Sequence, residues 1–142
     1  MKPLRGWPVV WPAVAGLTQA ASIALPGSGQ AQGWLQILSL AVLAAGLVGI
    51  AQAEGPWSQI GRRAAWFGGL FATAWLGGSF WWLYVSMHDV GGLPAPLAAL
   101  AVLLLASALS LFYVAASVGW VALSRRVPPH FQPLSSSALF AA

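Results

Sequence analysis

The chain has no cysteine and very little charge. Without cysteine there are no disulfides, no thiolate metal sites and no cysteine nucleophile. Charged residues make up 6% of its 142 residues, only two of them acidic, against roughly 25% in a soluble domain. So few charges cannot cover a water-facing surface, which makes this an integral membrane protein. None of the charges falls inside an apolar run, so the usual mark of an ion or proton pathway is absent as well. No phosphate-binding loop, zinc-ligand pattern or dinucleotide fingerprint occurs. No cofactor and no metal is expected. The net charge of +4 comes from six basic residues in three small, widely spaced groups. A nucleic-acid binder would gather them on one patch or stripe, so nucleic acid is not an expected partner.

Hydrophobic residues, in contrast, make up 59%. They fall in four apolar segments, at about 9–25, 34–53, 64–87 and 95–123. A spanning helix needs about 20 mostly apolar residues. The first segment is short and carries Pro12, expected within its first turn, where proline is tolerated. The fourth is long enough to tilt or to extend past the hydrocarbon. A lone segment in lipid must satisfy its own backbone hydrogen bonds, so all four are expected to be helices. Barrel strands would alternate polar and apolar residues, and these runs do not. The expected fold is an all-α membrane protein: one transmembrane domain over 1–142, a four-helix bundle, with 134–142 starting a further helix. The linkers expected between helices are 26–33, 52–63 and 90–96, and the prolines of 125–133 end the fourth helix.

Charge sets the expected orientation. Lys2 and Arg5 precede the first helix, Arg62 and Arg63 lie between the second and third, and Arg125 and Arg126 follow the fourth. With four spans these groups share one side, which the positive-inside rule makes cytoplasmic. The linkers 27–32 and 88–94 are then periplasmic, or extracellular in a cell without an outer membrane. Most tryptophans fit the same frame, with Trp7, Trp11, Trp57, Trp66 and Trp120 near one interface and Trp34, Trp81 and Trp82 near the other. Indole favours that position because its ring is apolar while its N–H seeks a partner. Only Trp75 falls in mid-span. The basic start, the apolar run and Gly29-Gln-Ala31 also resemble a cleavable signal peptide. Trp11 and Pro12 interrupt that run, and the first helix is expected to be retained.

Small residues recur every fourth position at Gly16, Ala20 and Ala24, at Ala41, Ala45, Gly49 and Ala53, and at Gly69, Thr73 and Gly77. Such spacing lets helix backbones approach closely in lipid. The third set is expected to be the main seam, with the third helix touching at least two others. His88 and Asp89 are read as a polar helix end rather than a proton relay or half a metal site, since no other histidine or acid shares their side. Lys2, Glu54 and His130 are read as solvated loop residues. Ser135-Ser136-Ser137 reads as a helix cap, without the acid or histidine of a nucleophile site. Tyr84 and Ser86 are expected to line the bundle.

The stretch from Trp81 to Pro96 is the most distinctive. It is aromatic on one side, breaks at Gly91-Gly92 and restarts at Pro94 and Pro96. Trp82-Leu-Tyr-Val-Ser86, then Gly91-Gly-Leu-Pro-Ala-Pro96, then Leu103-Leu-Leu-Ala-Ser-Ala-Leu-Ser-Leu-Phe-Tyr113 resembles the apolipoprotein N-acyltransferases of the bacterial inner membrane in order and spacing. The first two helices resemble that family only in hydropathy and length. The resemblance implies an enzyme that moves an acyl chain from a membrane phospholipid to the N-terminal diacylglyceryl-cysteine of an apolipoprotein. It also implies a nitrilase-like domain with a Glu-Lys-Cys triad. No triad residue can be placed here: there is no cysteine, the only lysine is Lys2 and the only glutamate is Glu54. No catalytic residue is therefore expected. The chain reads as the N-terminal membrane portion of such an enzyme, from a truncated gene, a fragment or a degenerate paralogue. Its expected place is the bacterial inner membrane, multi-pass, with a cytoplasmic N-terminus. Phospholipid is the expected partner, and apolipoprotein only through the catalytic domain. Trp81, Trp82, Tyr84, Ser86 and His88 are the candidates for a lipid-access lip, and Gly91, Gly92, Pro94 and Pro96 form its joint. The competing reading is a small non-enzymatic four-helix accessory protein.

Overall fold

The computed structural model describes residues 10–23 and 31–126. Lys2, Arg5, His130, the Ser135–Ser137 run and the expected helix start at 134–142 lie outside the described residues. The described chain is all helical. It comprises α1 (Val10–Ile23), α2 (Gly33–Ala51), α3 (Trp57–Ser79), the short α4 (Trp81–Val85), a π-helical turn (Ser86–Val90) and α5 (Ala95–Arg126). Two of them, α2 and α5, are long and apolar enough to cross a membrane. Only 17% and 22% of their apolar windows are buried, which sets them apart from the core helices of a soluble domain. Their outward faces carry Ile37, Leu104 and Phe112, all well exposed.

Three boundaries differ from the sequence expectation by three residues or more. The helix expected from residue 64 begins at Trp57, so Arg62 and Arg63 lie inside α3 and not in a linker. Hydropathy marks where an apolar run begins, but backbone geometry decides where a helix begins. Pro56 sits in the extended region at φ −65° and ψ 144°, and its carbonyl accepts from the amides of Gln59 at 3.0 Å and Ile60 at 3.3 Å. A proline just before the first helical residue has its φ preset and lacks an N–H that would go unsatisfied. The same helix does not run unbroken to residue 87. Phe80, at φ −87° and ψ 17°, leaves helical geometry, and a new turn starts at Trp81. Finally, α5 continues to Arg126, with both arginines in its last turn.

The helices run alternately up and down. Ser39 Oγ donates to the Ala15 carbonyl at 3.0 Å and the Gln32 amide to the Ser22 carbonyl at 2.8 Å, so α1 and α2 are antiparallel. Gly16 meets Phe71 and Ala74, while Gly78 meets Ala20, so α1 and α3 are parallel. Gly68 meets Ser117 and Gly69 meets Val114, and Ile60 clusters with Val121, which makes α3 and α5 antiparallel. α3 is the central helix, packed most extensively on α5 and then on α1. A buried apolar cluster joins Leu47, Ile60, Ala64, Phe67 and Val121. All four described arginines lie toward this end of the bundle, and the Trp81–Pro96 joint lies at the other.

In lipid, close packing takes over much of the role the hydrophobic effect has in water. The seam is therefore decisive, and it is not the expected one. Ala64, Gly68 and Ala72 form it, in a four-residue register one position before that of Gly69, Thr73 and Gly77. Both alanines are fully buried. A β-carbon on Gly68 would overlap the Ser117 side chain and lie 3.2 Å from the Tyr113 carbonyl oxygen. Gly77 has nothing within 4 Å, and Gly69 meets only Val114, at 3.1 Å. α3 carries two small-residue stripes side by side. The one flanked by Phe67 and Phe71 turns inward because those rings are buried with it. On α2 the expected set Ala41, Ala45 and Gly49 faces outward, and the inward face is Ser39, Gly46 and Leu47. On α1, Gly16 and Ala20 do meet α3.

Candidate functional site

The joint between α3 and α5 gathers the aromatic residues singled out in the sequence. Positions 81, 84 and 88 are three and four apart, so they share a helix face. The Trp81 and Tyr84 rings stack with centroids 5.0 Å apart at 22°. Tyr84 and His88 follow at 5.6 Å and 33°. Trp81 and Trp82 are 66% and 65% exposed, so the stack presents open ring surface. Ser86 is exposed as well. The sequence expectation that Tyr84 lines the bundle holds only in part, since it is half-buried beneath Trp81.

The chain reverses through a tight set of bonds. The Gly91 amide donates to the Ser86 carbonyl and the Leu93 amide to the Met87 carbonyl, both at 3.0 Å. The first is an i to i−5 bond, the signature of a π turn. His88 Nδ1 lies 2.8 Å from the Leu93 carbonyl oxygen; a carbonyl only accepts, so the imidazole donates. Gly92 has φ +66°, a left-handed conformation in which glycine carries no steric cost. A β-carbon on Gly91 would lie 2.8 Å from the Met87 carbonyl oxygen. Each glycine thus has its own reason. The Pro94 carbonyl accepts from the amides of Leu97 at 2.9 Å and Ala98 at 3.1 Å, which starts α5, with Pro96 in its first turn. His88 therefore belongs to the turn itself. Its Nε2 is 4.0 Å from Asp89 Oδ1, with both side chains substantially exposed, a separation at which an ion pair contributes little. Among the described residues no three of His, Cys, Asp and Glu are grouped to hold a metal ion.

Sequence reasoning missed three other polar features. Arg125 Nη1 donates to the carbonyls of Ala51 at 2.9 Å and Ala53 at 3.0 Å. Gln19 is buried in α1, and its Oε1 has no hydrogen-bond partner among the described residues. Trp75, the one tryptophan expected in mid-span, packs edge-on against Tyr113 at 5.4 Å and 87°. A run of apolar residues gives no signal for which polar group will turn inward, so only the packed structure reveals these.

The fold and joint together define the class: a helical domain with two described helices long and apolar enough to cross a membrane, and an aromatic turn at one end of the bundle. Residues 15–142 match the family described as the apolipoprotein N-acyltransferase N-terminal domain, and the chain belongs to that family. It is 52% identical over 114 residues to an apolipoprotein N-acyltransferase of Verminephrobacter eiseniae, an overlap of 80% of this chain and 20% of the relative. With the Ralstonia nicotianae enzyme of the same name it shares 46% over 92 residues, 65% of this chain and 16% of the relative. With that of Pseudomonas putida it shares 35% over 109 residues, 76% and 19%. The matched region is thus a fifth or less of the length of these relatives, 16% to 20%. No solved structure matches the chain.

Proposed function

We propose that this chain is the membrane portion that carries the lipid-access lip of an apolipoprotein N-acyltransferase, with the acyl-transfer chemistry supplied by the remainder of such a protein. In this reading α1, α2, α3 and α5 all cross the inner membrane, with the N-terminus cytoplasmic. The arginine-bearing end faces the cytoplasm by the positive-inside rule, and the Trp81–Pro96 joint faces the periplasm. Trp81, Trp82, Tyr84, Ser86 and His88 form the rim past which a phospholipid acyl donor approaches, and the apolipoprotein meets the catalytic part beyond it. Gly91, Gly92, Pro94 and Pro96 hold that rim in place.

The observation that carries this reading is the exposed Trp81–Tyr84 stack at the end of the bundle opposite the arginines. Amphipathic rings with open faces suit the headgroup level of a bilayer. The test is photocrosslinking in a full-length relative, with a photoreactive amino acid placed at the positions equivalent to Trp81, Trp82 and Tyr84. Phospholipid adducts at these sites, and fewer at equivalents of Leu104 and Phe112 when the headgroup is photoreactive, are expected. No phospholipid adduct at any of the three would overturn the role of the rim.

A further inference from the structure

An open groove lies away from the joint, toward the other end of the bundle. Arg62, Trp66, Gly69 and Thr73 of α3 and Ser110 and Val114 of α5 line it, and its volume is about 310 Å³. It runs along the outer side of the α3–α5 contact. Its floor is low because Gly69 has no side chain and meets only Val114, while Trp66, 64% exposed, stands as one wall. From Arg62 to Thr73 the groove extends about 16 Å at 1.5 Å per residue. That is about the depth of one leaflet, half of a hydrocarbon core roughly 30 Å thick. Arg62 is at the end that carries the other arginines, and no basic residue stands at the Thr73 end. Arg62 has no hydrogen-bond or ion-pair partner among the described residues.

We propose that this groove seats an anionic phospholipid of the arginine-side leaflet, its acyl chain along Gly69 and Thr73 and its phosphate on Arg62. The charge decides the occupant. A guanidinium pairs readily with phosphate and forms two parallel bonds to it. Basic pockets between transmembrane helices at the cytoplasmic side bind anionic headgroups in this way. An apolar helix laid in the same groove would offer Arg62 no counter-charge. This site goes beyond the rim at the joint: it lies toward the opposite end of α3, and its lipid is a bound component of the bundle rather than a donor on its way to chemistry.

The test reconstitutes the full chain in phosphatidylcholine vesicles containing a few per cent of phosphatidylglycerol with a diazirine in one acyl chain. The same diazirine on phosphatidylcholine is the comparison, and adducts are located by mass spectrometry of peptides. Phosphatidylglycerol should label 66–73 and 110–114 in preference to phosphatidylcholine. Arg62→Ala should lower that labelling roughly five-fold, the factor corresponding to one basic side chain at an anionic surface. Arg63→Ala removes the same charge next door and should leave it within twofold. Thr73→Phe fills the groove and should suppress the label while helicity by circular dichroism is retained. Equal labelling by the two lipids, or equal loss in the two arginine variants, overturns the proposal. So does disulfide pairing of two copies through Thr73→Cys, which would make the groove a self-association surface.

Discussion

Arg125 Nη1 reaches back to the carbonyls of Ala51 and Ala53, at 2.9 and 3.0 Å, so the last turn of α5 closes the C-terminal end of α2. The Ala51 carbonyl is among those a helix leaves without an internal partner, at the negative end of the α2 dipole, and Ala53 lies just beyond that end. The two helices are parallel, so a cation at one terminus also serves the other. The guanidinium is exposed, which reduces the strength of both bonds through solvent screening.

Arg125→Ala should therefore cost about 1 kcal/mol of stability, seen as a lower midpoint of unfolding in detergent. Arg125→Lys should recover part of it, since an ammonium reaches one carbonyl more easily than two. Arg126→Ala, one residue on and without a bond among the described residues, should leave the midpoint unchanged. Equal effects of the 125 and 126 variants would reduce Arg125 to one more positive charge.

The α3–α5 seam separates two glycines that look alike in sequence. Gly68→Leu forces a side chain into Ser117 and the Tyr113 backbone and should cost on the order of 2–3 kcal/mol. Gly77→Ala has open space around it and should stabilise α3 by up to about 1 kcal/mol through helix propensity. Unfolding midpoints by circular dichroism in detergent decide this. A Gly77 variant that falls further than the Gly68 variant would restore the Gly69–Thr73–Gly77 stripe as the seam.

How far the sequence could be read is clear from these same residues. Composition and apolar length give helices because lipid leaves the backbone few alternatives, but not their number: four are expected and five are described. They do not give helix ends: Pro56 starts α3 before the apolar run does, and Phe80 interrupts it within the run. A four-residue spacing shows that α3 has a small stripe but not which of two adjacent stripes faces inward. Contacts such as Arg125 to Ala51 join residues 74 apart, beyond the reach of any local pattern. At the joint, residue type was enough to single out Trp81, Tyr84, His88 and the two glycines. The stacking and the His88–Leu93 bond needed coordinates.

The turn makes its own prediction. Gly92→Ala places a β-carbon at φ +66° and should cost roughly 1–2 kcal/mol. His88→Phe keeps an aromatic ring beside Tyr84 and removes the donor to the Leu93 carbonyl. Amide hydrogen exchange at Gly91 and Leu93 should quicken in both variants, while amides in the middle of α5 keep their protection. Unchanged exchange at Leu93 in the His88 variant would mean that the imidazole does not hold the turn.

Finally, these 142 residues contain no cysteine, so a thiol introduced among them is the only one there and the orientation is directly testable. Ser58 and Ser86 are both exposed and lie toward opposite ends of the bundle, one in the first turn of α3 and the other at the start of the π turn. In intact cells, with the outer membrane permeabilised, a membrane-impermeant maleimide should label Ser86→Cys and not Ser58→Cys. After lysis both should react. The reverse pattern would put the arginines outside, against the charge rule, and would move the aromatic rim to the cytoplasmic face. Labelling of both before lysis would mean that α3 does not cross, despite its 23 residues. That outcome bears on the arginines too: α3 carries Arg62 and Arg63 in its first two turns and is not among the described helices long and apolar enough to span on composition alone. If α3 crosses, Arg62 and Arg63 must extend along it toward the headgroups, which is the position from which Arg62 can meet a phosphate.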